Sequence, residues 1–439
     1  MGTLITVVFA VLFFGLIMVS VALHEVGHMV PAKLFGVRVP QYFVGFGPTA
    51  WSTRRGETEY GLKWFPLGGF VRLLGMYPPG SPRQGKASRL ADFADQARAQ
   101  EWEAITPSDV ADQRLFYQKK TWQKMVVMFG GPAMNILIAF LLFWSVTGLY
   151  GVYRPQTTIA VVQECVIPLD AQRTECLDTD ARTPAFQAGL RVGDRVVSFN
   201  GIAIDSYAQL SALIRANLDG PAALTVERGG QMVELTPVHT IINGVADNWD
   251  PGRRIAAGWL GVGPEQVLTT GGPAVVVSDM MTLTGQSLVA LVQFPAKVWN
   301  VVVDLVTGAP RDIYGPMSIV GASRVAGEII ASDAVTWQSK AVMFASLLAS
   351  VNLFLAVFNL VPLPPLDGGH MAGALWEWLR RQVARLRKQP DPGPFDTARL
   401  LPWAYGVGAL LLLSGVVLIV ADIISPMQLF LSLIHISEP

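Results

Sequence analysis

The sequence is poor in charge. Asp, Glu, Lys and Arg make up 15% of its 439 residues, against 51% hydrophobic. A soluble domain carries about 25% charged residues, so the composition argues for a membrane protein. An excess of either sign is also missing, with 33 basic and 33 acidic residues. Binding to nucleic acid draws on clustered positive charge to meet phosphate, so no nucleic-acid partner is expected. Cysteine is nearly absent. Cys165 and Cys176 are the two present, and a single disulfide between them needs an oxidising compartment; the alternative is two free or buried thiols. Histidine occurs five times, so a chance metal-binding pattern is rare.

Charge is absent altogether from four runs, Leu4–Leu23, Met125–Tyr153, Ala341–Leu366 and Leu400–Ala421. Each is long enough to cross about 30 Å of hydrocarbon. The first has no basic leader or small-residue cleavage site and runs into His24, so it reads as a retained helix. Met280–Ala296 is a fifth apolar stretch. Its two Thr, two Gln and one Pro, with Lys297 directly after it, fit an interfacial helix better than a span. Basic residues orient the four spans. Loop 31–124 holds 14 Lys/Arg and 8 Asp/Glu, loop 151–339 holds 12 and 18, and loop 363–399 holds six Lys/Arg, mostly in Arg380–Lys388. The first and third loops are therefore expected inside, and the second loop and both chain ends outside. The cysteines then lie outside.

The segments follow from this frame. Residues 1–30 form the first span, 31–75 a Gly- and aromatic-rich hairpin region associated with the membrane, and 76–124 a cytoplasmic linker with no assigned chemistry. The second span covers 125–153. Residues 155–262 alternate strands with the amphipathic helix Ser206–Asn217 and resemble a PDZ domain, an α+β module that captures extended peptides. Residues 263–339 are the interfacial amphipathic segment, 340–370 the third span, 371–399 a cytoplasmic loop and 400–424 the fourth span. The polar tail 432–439 reads as a non-native scar and is set aside. The expected fold is thus a polytopic α-helical membrane protein with four transmembrane helices, a membrane-associated β-hairpin region and an inserted PDZ-like domain.

The residues that carry chemistry lie where the apolar runs end. His24-Glu25-Val26-Gly27-His28 is an H-E-x-x-H. On a helix, positions i and i+4 share a face, so both imidazoles reach one metal ion while Glu25 serves as a base toward water. Ionisable groups at the edge of hydrocarbon are costly and imply function. Catalytic zinc takes three protein ligands and keeps one position open. The best third ligand is Asp367 in Asn359-Leu-Val-Pro-Leu-Pro-Pro-Leu-Asp367-Gly-Gly-His370, where Pro362, Pro364 and Pro365 unwind the helix. With four spans Asp367 arrives on the same side as His24 and His28; a fifth crossing would put it opposite.

These features together, HEVGH ending span one, a PDZ-like insert and NLVPLPPLDGGH after span three, resemble the site-2 protease family of intramembrane zinc metalloproteases over about residues 3–430. The single PDZ-like domain and paired outer cysteines look most like its actinobacterial branch. The resemblance implies one zinc ion per chain on His24, His28 and Asp367, with Glu25 activating water. It implies that Asn359, with Asn352 two turns earlier on the same face, holds an unwound substrate strand, and that Gly45 and Gly47 belong to a membrane-dipping hairpin that meets substrate. It also implies a bacterial plasma membrane location. The partners it implies are the lipid bilayer, a single-pass membrane substrate such as an anti-sigma factor, and an upstream site-1-type protease that shortens that substrate first. His370 reads as a surface or capping residue. Two other classes stay open: a non-enzymatic PDZ-bearing membrane scaffold, and a metal or proton transporter, which would usually show internal repeats that the halves here lack.

Overall fold

A computed structural model describes residues 2–79, 89–167, 175–332 and 335–427; the tail 432–439 lies outside them. Along the chain come α1 (Gly2–Leu34), β1 (Gln41–Arg55), β2 (Thr58–Arg72), α2 (Arg89–Trp102), α3 (Pro107–Ala111), α4 (Thr121–Ser145), β3 (Val152–Val162), α5 (Pro184–Gln187), β4 (Arg195–Phe199), β5 (Ile202–Ala203) and α6 (Tyr207–Ala216). Then follow β6 (Pro221–Arg228), β7 (Gln231–His239), β8 (Ile241–Ala246), β9 (Arg254–Trp259), β10 (Val262–Thr269), α7 (Pro273–Thr307), α8 (Ile319–Ala331), α9 (Trp337–Asn359), α10 (Asp367–Leu386) and α11 (Leu401–Ile424). They divide into two compact units, one of residues 1–143 and 277–439, the other Trp144–Val276.

In the larger unit, α1 buries Phe13, Ile17, Ser20, His24, Gly27 and His28. Steps of three and four residues make these one stripe. Leu4, Val7, Val11 and Val19 on its other faces stay exposed, as lipid-facing side chains do. Among the described residues five helices are long and apolar enough to cross a membrane: α1, α4 with the turn after it (Thr121–Tyr150), α7, α9 and α11 with the turn before it (Thr397–Ile424). The sequence led to four; the fifth is α7. It contains Met280–Ala296 within one 35-residue helix that has Pro295 inside it, so the stretch expected to be interfacial is part of a much longer element.

The hairpin is folded back on itself. Tyr42–Val44 of β1 lies between Tyr60–Leu62 and Gly69–Val71, both of β2, while Trp51–Arg55 pairs with Thr58–Leu62. The doubling-back happens at Gly45 and Gly47, with φ of +92° and +84°. A Cβ at Gly45 would stand 2.8 Å from the Phe65 carbonyl oxygen, so both conformation and space require glycine there. Residues 76–124, expected as a linker, carry α2 and α3. The Glu101 carboxylate is buried and accepts backbone N–H bonds from Gly75, Met76 and Tyr77 at 2.8, 2.8 and 3.0 Å. It thereby fastens α2 to the strand end that leads away from the hairpin.

The smaller unit is an antiparallel sheet of order β10-β3-β4-β6-β7, with β5 beside β4, and a separate β8–β9 pair. Ile159, Phe199, Leu210, Ile214, Leu224 and Val226 form its core with α5 and α6. It is wider than the expected 155–262, because β10 pairs with β3 from Val262↔Val162 to Thr269↔Val152. The β6–β7 turn places Gly229 and Gly230 at positive φ, as tight hairpins demand. Asp194 is buried and receives Arg228 Nε and Nη2 at 2.7 Å each. Cys165 and Cys176 are joined as a disulfide.

Candidate active site

The motif histidines sit on the buried stripe of α1, one turn apart. His28 is held from α4: its Nδ1 lies 2.8 Å from the Val127 carbonyl oxygen. With Nδ1–H donating there, the lone pair of Nε2 faces inward, as a metal ligand requires. His24 Nε2 is 3.1 Å from His28 Nε2. Asp367 Oδ2 is 3.3 Å from each of the two. The three donor atoms lie within 4.8 Å of one another. His24 Nδ1 and Asp367 Oδ2 are buried and make no hydrogen bond among the described residues. Two imidazole nitrogens and a buried carboxylate oxygen converging this closely are costly unless a proton or a cation sits among them. The residues therefore fit a divalent metal with two nitrogen ligands and one carboxylate.

Asp367 reaches the two histidines across a break between helices. α9 ends at Asn359, the proline turn follows, and α10 starts at Asp367 itself. What the sequence did not disclose is the part played by α4. Gly27 of α1 and Gly130 of α4 meet so closely that a Cβ on either would collide with the other's carbonyl. This crossing brings Gly131 over the histidines. A Cβ there would stand 2.6 Å from His24 Nε2 and closer still to His28 Nε2. The G-G pair in FGGPAMN was the available signal, but nothing local said what it would face.

These groups line a cavity of about 340 Å³ with Glu25, Gly69, Phe70, Val71, Met128, Asn359, Pro365 and His370. Glu25 follows His24 directly, so its carboxylate enters the same space from the flank of the helix. Strand β2 closes over it: a Cβ at Gly69 would lie 3.2 Å from Glu25 Cγ. Of the other residues named from sequence, Asn359 reaches this cavity, with its Nδ2 donating to the Leu355 carbonyl at 3.1 Å. Asn352 is fully buried elsewhere in α9, donating to the Leu348 carbonyl at 2.9 Å. Gly45 and Gly47 shape the hairpin next to the strand that lines the cavity and do not line it themselves. His370, read as a surface or capping residue, lines the cavity one turn after Asp367. The disulfide belongs to the smaller unit.

Comparison with known proteins agrees with this geometry. The model of peptidase family M50 matches residues 12–390. Zinc metalloprotease Rip1 of Mycolicibacterium smegmatis is 34% identical over 435 residues, covering 96% of this chain and 98% of that protein. Rip1 of Mycobacterium tuberculosis is 34% identical over 432 residues with the same coverage. Metalloprotease MmpA of Caulobacter vibrioides is 25% identical over 386 residues, covering 84% of this chain and 87% of that protein. A two-histidine, one-carboxylate cluster with a neighbouring glutamate, set among apolar helices, is what a protease working in a membrane needs, and by similarity over nearly its full length the chain belongs to peptidase family M50, the site-2 protease family of membrane metalloendopeptidases.

Proposed function

We propose that this protein binds one zinc ion on His24, His28 and Asp367 and cleaves single-pass membrane proteins within the bilayer. The observation that carries the reading is the convergence of those three donors beside Glu25 in one cavity. Two imidazoles and a carboxylate favour zinc, and the M50 relatives bear the name zinc metalloprotease. When bound, zinc supplies a Lewis acid for the scissile carbonyl and for water. The Glu25 carboxylate takes a proton from the attacking water and hands it to the amine nitrogen that leaves. A helical substrate hides its carbonyls in i→i−4 bonds, so it must unwind first. Asn359 offers a carboxamide to the freed strand at the cavity wall, and strand β2 lies opposite. Asn352, Gly45 and Gly47 act by holding these elements in shape. The substrate is one already shortened by a site-1-type protease, such as a membrane anti-sigma factor, and the PDZ-like unit screens it or recognises its new end.

The same reading has four spans, α1, α4, α9 and α11, in a bacterial plasma membrane. The site lies near the cytoplasmic side, and the PDZ-like unit and both chain ends lie outside. The packing of α7 supports it. β3 leaves the site-remote end of α4, and its first residue, Val152, pairs with Thr269 at the end of β10, so α7 begins where α4 ends. Its C-terminal half returns to the remote end of α11, where Val301 and Leu305 pack with Leu418 and Ala421 and Arg311 pairs with Asp422. A helix that crossed would finish beside Leu401 instead.

The test is cleavage of a purified single-pass substrate by wild type and by Glu25→Gln, with zinc measured in both. Cleavage by wild type alone, at equal zinc content, is expected. Equal cleavage by both would remove Glu25 as the base.

A further inference from the structure

Helix α10 is built inside out. Its buried positions are the small residues Gly368, Gly369, Gly373, Ala374 and Ala384, together with Glu377. The Glu377 carboxylate is 3.0 Å from Lys124 Nζ and from Arg381 Nη1, and it accepts the Phe395 N–H at 3.0 Å. The large apolar side chains face outward. Leu375, Trp376, Leu379, Val383 and Leu386 are all exposed, Leu386 at 84%, with exposed Ala372 among them, while Trp378 is exposed to one side. The spacing from Ala372 through Leu375, Trp376, Leu379 and Val383 to Leu386 puts these six on one stripe about four turns long. A helix on a water-facing surface shows the opposite pattern, and an exposed stripe of this kind marks an interaction face.

Position and charge identify what covers it. α10 starts at Asp367, eight positions after the end of α9, so in the membrane reading proposed above its start lies at the level of the bilayer surface. At its C-terminal end stand Arg385, Arg387 and Lys388, all exposed. The neighbouring acid, Asp391, is already engaged by Arg381 at 3.3 Å and by the Gly393 N–H. An apolar stripe with an interfacial tryptophan and a terminal basic cluster is the composition of a helix lying in the plane of an anionic leaflet.

We propose that the stripe of α10 sinks into the leaflet next to the active site and that Arg385, Arg387 and Lys388 bind anionic phospholipid headgroups. The inference rests on the membrane reading of the chain and not on the cleavage reaction. Because Asp367 is the first residue of α10, lipid held at one end of the helix steadies the carboxylate at the other.

The test uses the purified full chain and equal mixtures of phosphatidylcholine and phosphatidylglycerol, with retained lipid counted by native mass spectrometry. Wild type is expected to prefer phosphatidylglycerol, and the triple variant Arg385→Gln, Arg387→Gln, Lys388→Gln to lose most of that preference. Arg253→Gln with Arg254→Gln, which removes two exposed charges from the other unit, is expected to leave it unchanged. In vesicles of brominated phosphatidylcholine, the tryptophan emission lost on Trp376→Phe is expected to be a quenched component. No preference in wild type, an equal loss in the control, or an unquenched Trp376 accompanied by dimerisation would each overturn the proposal, the last by assigning the stripe to a second copy. No readout depends on proteolysis, so failure here leaves the cleavage reading intact, and failure of cleavage leaves this one intact.

Discussion

Gly131→Ala tests the close approach of α4 to His24 and His28. The added methyl would sit 2.6 Å from His24 Nε2 and nearer to His28 Nε2, where an unstrained contact needs about 3.5 Å. Roughly 1 Å of relief is therefore required. α4 cannot supply it by backing away without stretching the 2.8 Å bond between His28 and Val127, since that carbonyl belongs to α4 itself. Rotating the imidazoles instead turns both donor nitrogens off their common point. Misplacement of reacting groups by about 1 Å costs on the order of 100-fold in rate. The expected outcome is a zinc content well below one per chain and cleavage reduced by about 100-fold. Overpacking should lower stability by only about 1–3 kcal/mol. Metal analysis of the purified protein, thermal unfolding and the cleavage assay read the three quantities separately. A Gly131→Ala protein that holds stoichiometric zinc and cleaves within about threefold of wild type would refute the argument.

Other outcomes follow from the ion pairs and the disulfide. Asp422→Asn leaves Arg311 buried without its charge partner, where the two side chains are 2% and 3% exposed; a loss of about 3 kcal/mol is expected in thermal unfolding. In the smaller unit, burial raises the Asp194 carboxyl, but the Arg228 hydrogen bonds and the Arg191 N–H outweigh it and hold the pKa below the usual value. A depressed folded pKa means the stabilisation is complete above the unfolded value of about 3.9 and is lost as pH falls through the folded one. Protease resistance of residues 144–276 should therefore fall in that acid range, and Asp194→Asn should remove the dependence while costing about 2 kcal/mol at neutral pH. Replacing Cys165 and Cys176 by Ser opens a loop with a separation of 11 residues. A loss of about 2–3 kcal/mol is expected by the chain-entropy argument, visible as earlier proteolysis of that unit under otherwise equal conditions.

Much of the candidate site was legible before any coordinates. The i, i+4 spacing of His24 and His28 dictates a shared helix face, and the apolar run ahead of them dictates that the face is buried. Pro362, Pro364 and Pro365 forbid continuation of α9, which frees Asp367 to begin a new helix. The alternation of strands with the amphipathic helix Ser206–Asn217 likewise announced the sheet of the smaller unit. All of these are local properties, set by backbone period and by the few residues that break it.

Tertiary structure decided what no local period contains. Gly131 and Val127 matter because Gly27 and Gly130 let two helices nearly touch, and that contact joins positions about a hundred residues apart. His370 became part of the cavity wall because α10 starts at Asp367 and turns its first coil inward. Glu101 looked like one charge in a polar linker until three backbone N–H groups from the hairpin's end closed around it. α10 has the periodicity of any amphipathic helix; only its neighbours reveal that the small and ionic side is the buried one. A sequence specifies the faces of its elements through spacing. Which face meets which is settled by close packing, where the absence or presence of a single Cβ sets how near two backbones can come.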